Sequence, residues 1–157
     1  MKKQFRSSWD FLLIGMTFLI SAALIALAFI GGIFSVIMAI VFISFGVFFG
    51  VYGYSLQPQE LRIIRLGWSK DIPYNDIVDI EYSPDAMMGS LRKFGISGFF
   101  SYYGMFKNRV LGDYKAYATH RKNTVVITIK SGKKIVVTPS DPERFVEELK
   151  GVSEKTV

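Results

Sequence analysis

His120 is the single histidine of the chain, and it stands beside Arg121 and Lys122 in a stretch that follows a predicted strand. General-base or nucleophilic catalysis needs a second group held against the first, and no Ser, Cys or acid at a recognisable spacing accompanies this imidazole. Asp76, Asp79 and Glu81 alternate along another stretch, which puts Asp79 and Glu81 on one face of a strand. Such a pair can hold magnesium, but solvated strand edges carry acids in the same pattern far more often. No phosphate-binding glycine loop, dinucleotide fingerprint or zinc-ligand spacing occurs. The chain has no cysteine, so neither a disulfide framework nor a thiolate metal site is available, in keeping with a reducing compartment. The expectation is a protein that is not an enzyme, with no catalytic, cofactor or metal site.

The stretch richest in unusual side chains carries no reactive group. Phe94, Phe99, Phe100, Tyr102 and Tyr103 are interleaved with Gly95, Gly98 and Gly104 and flanked by Arg92, Lys93, Lys107 and Arg109. Glycine supplies positive φ or close backbone approach, so a tight, irregular connection is expected here and not a long strand. Aromatic rings beside Lys and Arg suit a membrane interface. The same rings also suit a domain core or the flank of a membrane tether. Candidate contacts for a membrane or a partner are therefore Arg92, Lys93, Phe99, Phe100, Tyr102, Tyr103, Lys107 and Arg109.

What must position these residues is dominated by one gap in the charge pattern. Between Phe11 and Gln59 run 49 residues without Asp, Glu, Lys, Arg or His. A bilayer core of roughly 30 Å takes about 20 apolar residues per helix, so the run suits two spans. The predicted hairpin occupies residues 1–54, with helices over about 9–30 and 33–54 and a turn at Gly31-Gly32. A barrel is excluded because the run does not alternate polar with apolar residues, and backbone in lipid must satisfy its own hydrogen bonds. Lys2, Lys3 and Arg6 precede the first helix, Arg62, Arg65 and Lys70 follow the second, and the turn is uncharged. The positive-inside rule then puts both termini in the cytoplasm. Lys2-Lys3 with Ala26-Leu27-Ala28 is also the pattern of a cleavable signal, but the apolar stretch between them is long for that purpose. Gly46 and Gly50 form a GxxxG pair on the second helix, and Ala22 and Ala26 are spaced likewise on the first; small residues at this spacing permit close helix packing, within the hairpin or between copies.

Residues 55–150 suffice for one small domain, with 151–157 as a flexible tail. From Ala86 to Lys134 ten basic residues face Asp113 alone, whereas the segments on either side are acidic in balance. A basic patch suits nucleic acid or an anionic leaflet, and tethering favours the leaflet; a set of solvated lysines fits equally. Period-two signals mark strands at Leu61–Leu66, Asp71–Tyr74, Ile77–Tyr82 and Tyr114–Thr119. Val125–Lys130 and Lys133–Thr138 flank Ser131-Gly132 as a hairpin. Phe145, Val146 and Leu149 then give a helical stripe, capped by Asp141 with Pro142 first and stopped at Gly151.

Three stretches in this order resemble the bacterial pleckstrin-homology-like (PH-like) domains that follow transmembrane helices in small membrane proteins. They are Trp68–Ile80, with Ile72-Pro73-Tyr74 and the later Ile77 and Ile80, the glycine and aromatic segment Phe94–Gly104, and the strand-to-helix junction Thr138–Phe145. The resemblance implies a membrane α-helical hairpin plus a small mostly-β PH-like domain, an antiparallel bent sheet or partly open barrel capped by one C-terminal helix. It transfers no catalytic residue and no settled activity.

The expectation for function is a non-enzymatic adaptor of the bacterial inner membrane that displays its domain at the cytoplasmic face to a protein partner or peptide. The alternative is an anionic-lipid-binding surface module built on segment 92–109. Nucleic acid is not an expected partner, because the basic surplus carries no recognisable module. A homo-oligomer is compatible with the GxxxG pair.

Overall fold

The computed structural model describes residues 3–154. Lys2 of the basic flank and the last three residues of the predicted tail lie outside the described residues. Strand β1 (Lys3–Arg6) comes first, followed by helices α1 (Phe11–Ile30) and α2 (Gly32–Phe49). Asp10 starts α1 by accepting a hydrogen bond from the Leu13 N–H, and Gly32, at φ +71°, makes the turn between the helices. At 1.5 Å per residue the helices are about 30 and 27 Å long. Both are long and apolar enough to cross a bilayer, and Phe11, Phe18, Phe29, Ile30 and Ile33 point outward, exposed.

The second helix stops five residues short of its predicted end. Gly50 is extended, and Val51, Tyr54 and Leu56 enter strand β2 (Val51–Leu56), where they are buried in the domain. Hydropathy reads this segment as lipid-facing because a domain core and a bilayer select the same side chains. Gly53 decides the conformation, since a Cβ there would lie 2.6 Å from the Phe5 carbonyl oxygen of β1.

The remaining elements are β3 (Glu60–Arg65), β4 (Lys70–Pro73), a 3₁₀ turn at Tyr74–Asp76, β5 (Ile77–Tyr82), β6 (Leu91–Phe99), β7 (Ser101–Asn108), β8 (Gly112–Ala118), β9 (Val125–Ile129), β10 (Lys134–Val137) and α3 (Pro142–Glu154). They form two sheets, with strand orders β1-β2-β3-β4 and β5-β9-β10-β8-β7-β6, and not a closed barrel. Pairing is antiparallel except between β8 and β10, which run parallel, Ala116 opposite Val136. The Ser131-Gly132 turn forms as expected, with Gly132 at φ +74°.

Alternation along β9 sorts the core into two layers. Val125 and Ile127 join Leu61, Ile63, Ile80 and Val137 between the sheets, under Phe145 and Leu149 of α3. Val126 points the other way, into a second cluster with Tyr102, Phe106, Tyr114 and Val136 that is covered by Leu13 of α1 and by Ala86 and Met87. The six-stranded sheet is thus buried on both faces at its centre. Helix α3 passes through Gly151 to Glu154, because Val152 still packs on the core. That contact outweighs the roughly 1 kcal/mol that glycine costs inside a helix.

Tyr54 ties the two sheets together. Its hydroxyl donates to the Tyr117 carbonyl at 2.7 Å and accepts from the Thr138 N–H at 2.9 Å, and burial pushes its pKa up to about 12. Tyr54→Phe leaves two buried backbone groups unpaired and is expected to cost about 1–3 kcal/mol in thermal unfolding of the detergent-solubilised chain. A hydroxyl whose folded pKa lies above its unfolded value of 10.0 contributes fully below pH 10. That contribution is lost between pH 10 and 12, at about 1.4 kcal/mol per pH unit, and the Phe variant should lack this part of the alkaline destabilisation.

Candidate functional site

The glycine and aromatic segment is a β-hairpin and not an irregular connection. β6 and β7 reverse at Phe100, which takes φ +60°. The glycines work across the strands: Gly95 and Gly104 sit opposite one another at φ +112° and +129°, and a Cβ on Gly95 would lie 2.8 Å from the Gly104 Cα. Two glycines in register allow an approach that any side chain would block. Gly98, at φ +89°, lies in a second irregularity between Ser97 and Phe99 and sends the tip toward the helices.

That tip docks on α1 and α2. The rings of Phe99 and Phe100 lie over Gly46, where a Cβ would stand 2.5 Å from Phe99 and 2.6 Å from Phe100. The Phe100 N–H donates to Thr17 Oγ1 at 3.0 Å, and Trp9 meets Phe100 edge to face at 6.3 Å. Thr17 is seven residues past the helix cap, which puts the tip about 10 Å along α1 from Asp10. Gly46, the first residue of the GxxxG pair, is therefore covered by the β-hairpin. Gly50 ends α2, and Ala22 and Ala26 are exposed on α1.

A second aromatic seam closes the other side of the junction. Phe48 and Phe49 meet Trp68 edge to face at 5.3 and 5.2 Å, Phe49 lies 5.8 Å from Tyr103, and Gly67 leaves room for the Phe48 ring. Beneath it Arg65, only 7% exposed, stands 5.3, 4.9 and 5.3 Å from the ring centres of Trp68, Tyr103 and Tyr117. Its Nε and Nη1 are buried without a hydrogen-bond partner among the described residues, so the rings are its main compensation for lost water. Arg65 reads in sequence as one more flanking cation. The signal that reveals it is its place after Leu61 and Ile63 at the inward positions of β3.

The basic candidates occupy the opposite end of the hairpin. Six residues separate Ser101 from Lys107, about 20 Å along the strand. Lys93 pairs with Asp113 at 3.0 Å and Arg92 donates to the Gly95 carbonyl, whereas Lys107 and Arg109 make no ion pair among the described residues. Leu91, Phe94 and Val110 are exposed beside them, Phe94 by 79%, and β6 is the outermost strand of its sheet. Tyr102 is buried in the second core layer and Tyr103 is half-buried in the aromatic seam. Further away, His120 follows β8 and its Nδ1 accepts from the Lys122 N–H at 2.9 Å. Asp79 and Glu81 are exposed on β5, and no group of three or more metal-ligating side chains exists among the described residues.

The family model for the bacterial PH domain matches residues 52–153. The match begins in β2 and ends in α3, covers the greater part of the chain, and takes in both sheets apart from β1. The chain belongs to this family. No curated protein and no solved structure matches it.

Gly46→Leu is expected to unseat the hairpin tip, lowering stability by about 1–3 kcal/mol and speeding amide exchange around Phe100. Gly15→Ala, whose added methyl meets nothing within 4 Å, should be neutral or slightly stabilising. Thermal unfolding and hydrogen exchange in lipid nanodiscs compare the two, and equal behaviour contradicts the docking.

Proposed function

We propose that the chain crosses the cytoplasmic membrane of a bacterium twice, with both termini cytoplasmic, and acts as a non-catalytic adaptor whose PH domain receives a protein partner. The basic residues Lys3, Arg6, Arg62 and Lys70 outside the helices, against an uncharged Gly31-Gly32 turn, support the orientation. Pairing of β1 with β2 supports a common side for the two ends of the hairpin. A fluorescent protein fused after Val157 should be bright in intact cells, and active alkaline phosphatase at the same position argues against this topology.

The observation that carries the adaptor reading is the free end of the β6–β7 hairpin. An outermost strand of nine residues offers unpaired backbone groups, exposed Leu91 and Phe94 offer apolar anchors, and Arg92, Lys107 and Arg109 surround them with positive charge. An extended acidic segment of a membrane or cytoplasmic protein fits this combination, adding a strand to β6. Engagement of anionic lipid by the same cations has less support, because they lie about 20 Å along the hairpin from the tip that meets the helices.

A photo-crosslinking amino acid at Phe94 should give a discrete protein adduct in cells, and Arg92→Glu with Lys107→Glu should reduce it at least tenfold. The same probe at exposed Val78 of β5 serves as control. Lipid adducts alone at Phe94, or protein adducts indifferent to charge reversal, contradict the reading.

A further inference from the structure

The outer edge of β6 changes character along its length. Leu91, Arg92, Lys93 and Phe94 are exposed, Gly95 to Ser97 are half-buried, and Gly98 is buried against α1, where a Cβ would lie 3.9 Å from the Met16 Cβ. Charge stops at Lys93, and no charged residue follows from Phe94 to Phe106. A strand laid on this edge meets cations at one end and only apolar, glycine and serine residues at the other.

The uncharged end is the one that reaches the helices. Met16 is six residues past Asp10, about 9 Å along α1, and it remains 42% exposed. Gly15 beside it is open, since an added Cβ meets nothing within 4 Å. With the helices spanning the bilayer as proposed, a chain that leaves the β6 edge at this end arrives in hydrocarbon on an open flank of α1. Backbone in hydrocarbon must satisfy its own hydrogen bonds, so that chain has to continue as a helix.

Direction and charge narrow the occupant further. Antiparallel pairs are slightly more stable per residue than parallel ones. β6 runs toward the helices, so a strand added antiparallel to it runs away from them. The Gly95 carbonyl accepts from the Arg92 guanidinium at 3.2 Å in an exposed contact. An incoming N–H can replace that donor, which frees the guanidinium for a carboxylate. Lys107, opposite Leu91 in the ladder, adds a second exposed cation at the same end.

We propose that the partner received at β6 is an integral membrane protein, and that the edge is occupied by an extended acidic segment directly following one of its spans at the cytoplasmic face. This rests on the adaptor reading of the edge and adds the attachment to a span. Five residues lead from Ser97 back to Arg92, about 17 Å, so the carboxylates stand roughly five to eight residues beyond the span. Cytoplasmic flanks of spans more often carry Lys and Arg. Arg92 and Lys107 repel those flanks, so the edge selects an acidic one by exclusion as well as by attraction.

The test places a photo-crosslinking amino acid at Phe94 or at Met16 of the full chain in cells and maps each adduct to its peptide by mass spectrometry. One and the same protein should be caught at both positions. At Phe94 the adduct should fall in a segment rich in Asp and Glu within about ten residues after an apolar run of about 20, and at Met16 in the run itself. Arg92→Glu with Lys107→Glu should reduce both adducts at least tenfold; both residues are exposed, so the melting temperature should not change. Phe94 adducts on a protein without such a run, or on another copy of this chain, overturn the proposal. A protein adduct at Phe94 beside lipid adducts alone at Met16 also overturns it, while the adaptor reading stands. Absence of protein adducts at both positions defeats the adaptor reading as well, and extraction of the chain by alkaline carbonate defeats the spanning reading.

Discussion

The ladder between β1 and β2 is the constraint on which the rest of the molecule depends. Lys3 to Arg6, ahead of the first apolar helix, pair in register with Leu56 to Gly53, behind the second. The two ends of the helical hairpin are therefore held one strand spacing apart, about 4.8 Å. The link from β1 to α1 is fastened to both sheets. The Ser7 N–H and Oγ reach the Tyr52 and Val51 carbonyls, the Ser8 N–H reaches the Thr138 carbonyl, and the Asp10 N–H reaches the Thr119 carbonyl. A domain on a flexible linker samples many heights and tilts. This domain is clamped to the helices at both ends.

Clamping explains why the aromatic and glycine residues lie where they do. With the domain fixed, the β6–β7 tip falls against Gly46 and Thr17, and the Trp68 turn falls against Phe48 and Phe49. Backbone groups near hydrocarbon must be satisfied, and the Phe100 N–H at the tip is satisfied by Thr17. Trp9 packs on Phe100 at the tip, and Trp68 and Tyr103 pack on Phe49 and Arg65 at the other side of the junction. The other end of the hairpin lies about 20 Å away along the strand, with its charges and its unpaired edge. One β-hairpin thus has an end docked on the helices and a free basic end.

Much of this was legible in the residues, and the gaps have physical causes. The two helices follow from length and composition, the β9–β10 turn from Ser131-Gly132, the start of α3 from Asp141-Pro142, and the PH-like fold from the order of Trp68–Ile80, Phe94–Gly104 and Thr138–Phe145. The end of α2 is hidden in the residues because no charge interrupts the run before Glu60, and the uncharged segment Val51–Leu56 suits a domain core as well as lipid. β1 left no signal, since Lys3-Gln4-Phe5-Arg6 has one apolar residue and takes its pairing from β2. Gly95 and Gly104 signal positive φ or close backbone approach in the residues, and their cross-strand register, which the residues do not give, shows both together.

With the helices spanning the bilayer as proposed, the tip of the β6–β7 hairpin is held below the membrane surface against α1 and α2. Because the chain has no cysteine, a single spin label can be placed at Phe100→Cys and, for reference, at Lys107→Cys and Thr17→Cys, each in liposomes. Power-saturation electron paramagnetic resonance then ranks accessibility to oxygen, which enters lipid, against a water-soluble nickel chelate. The label at 100 should resemble the one at 17, accessible to oxygen and shielded from nickel, while the label at 107 should be open to nickel. A label at 100 as accessible to nickel as the one at 107 would contradict it.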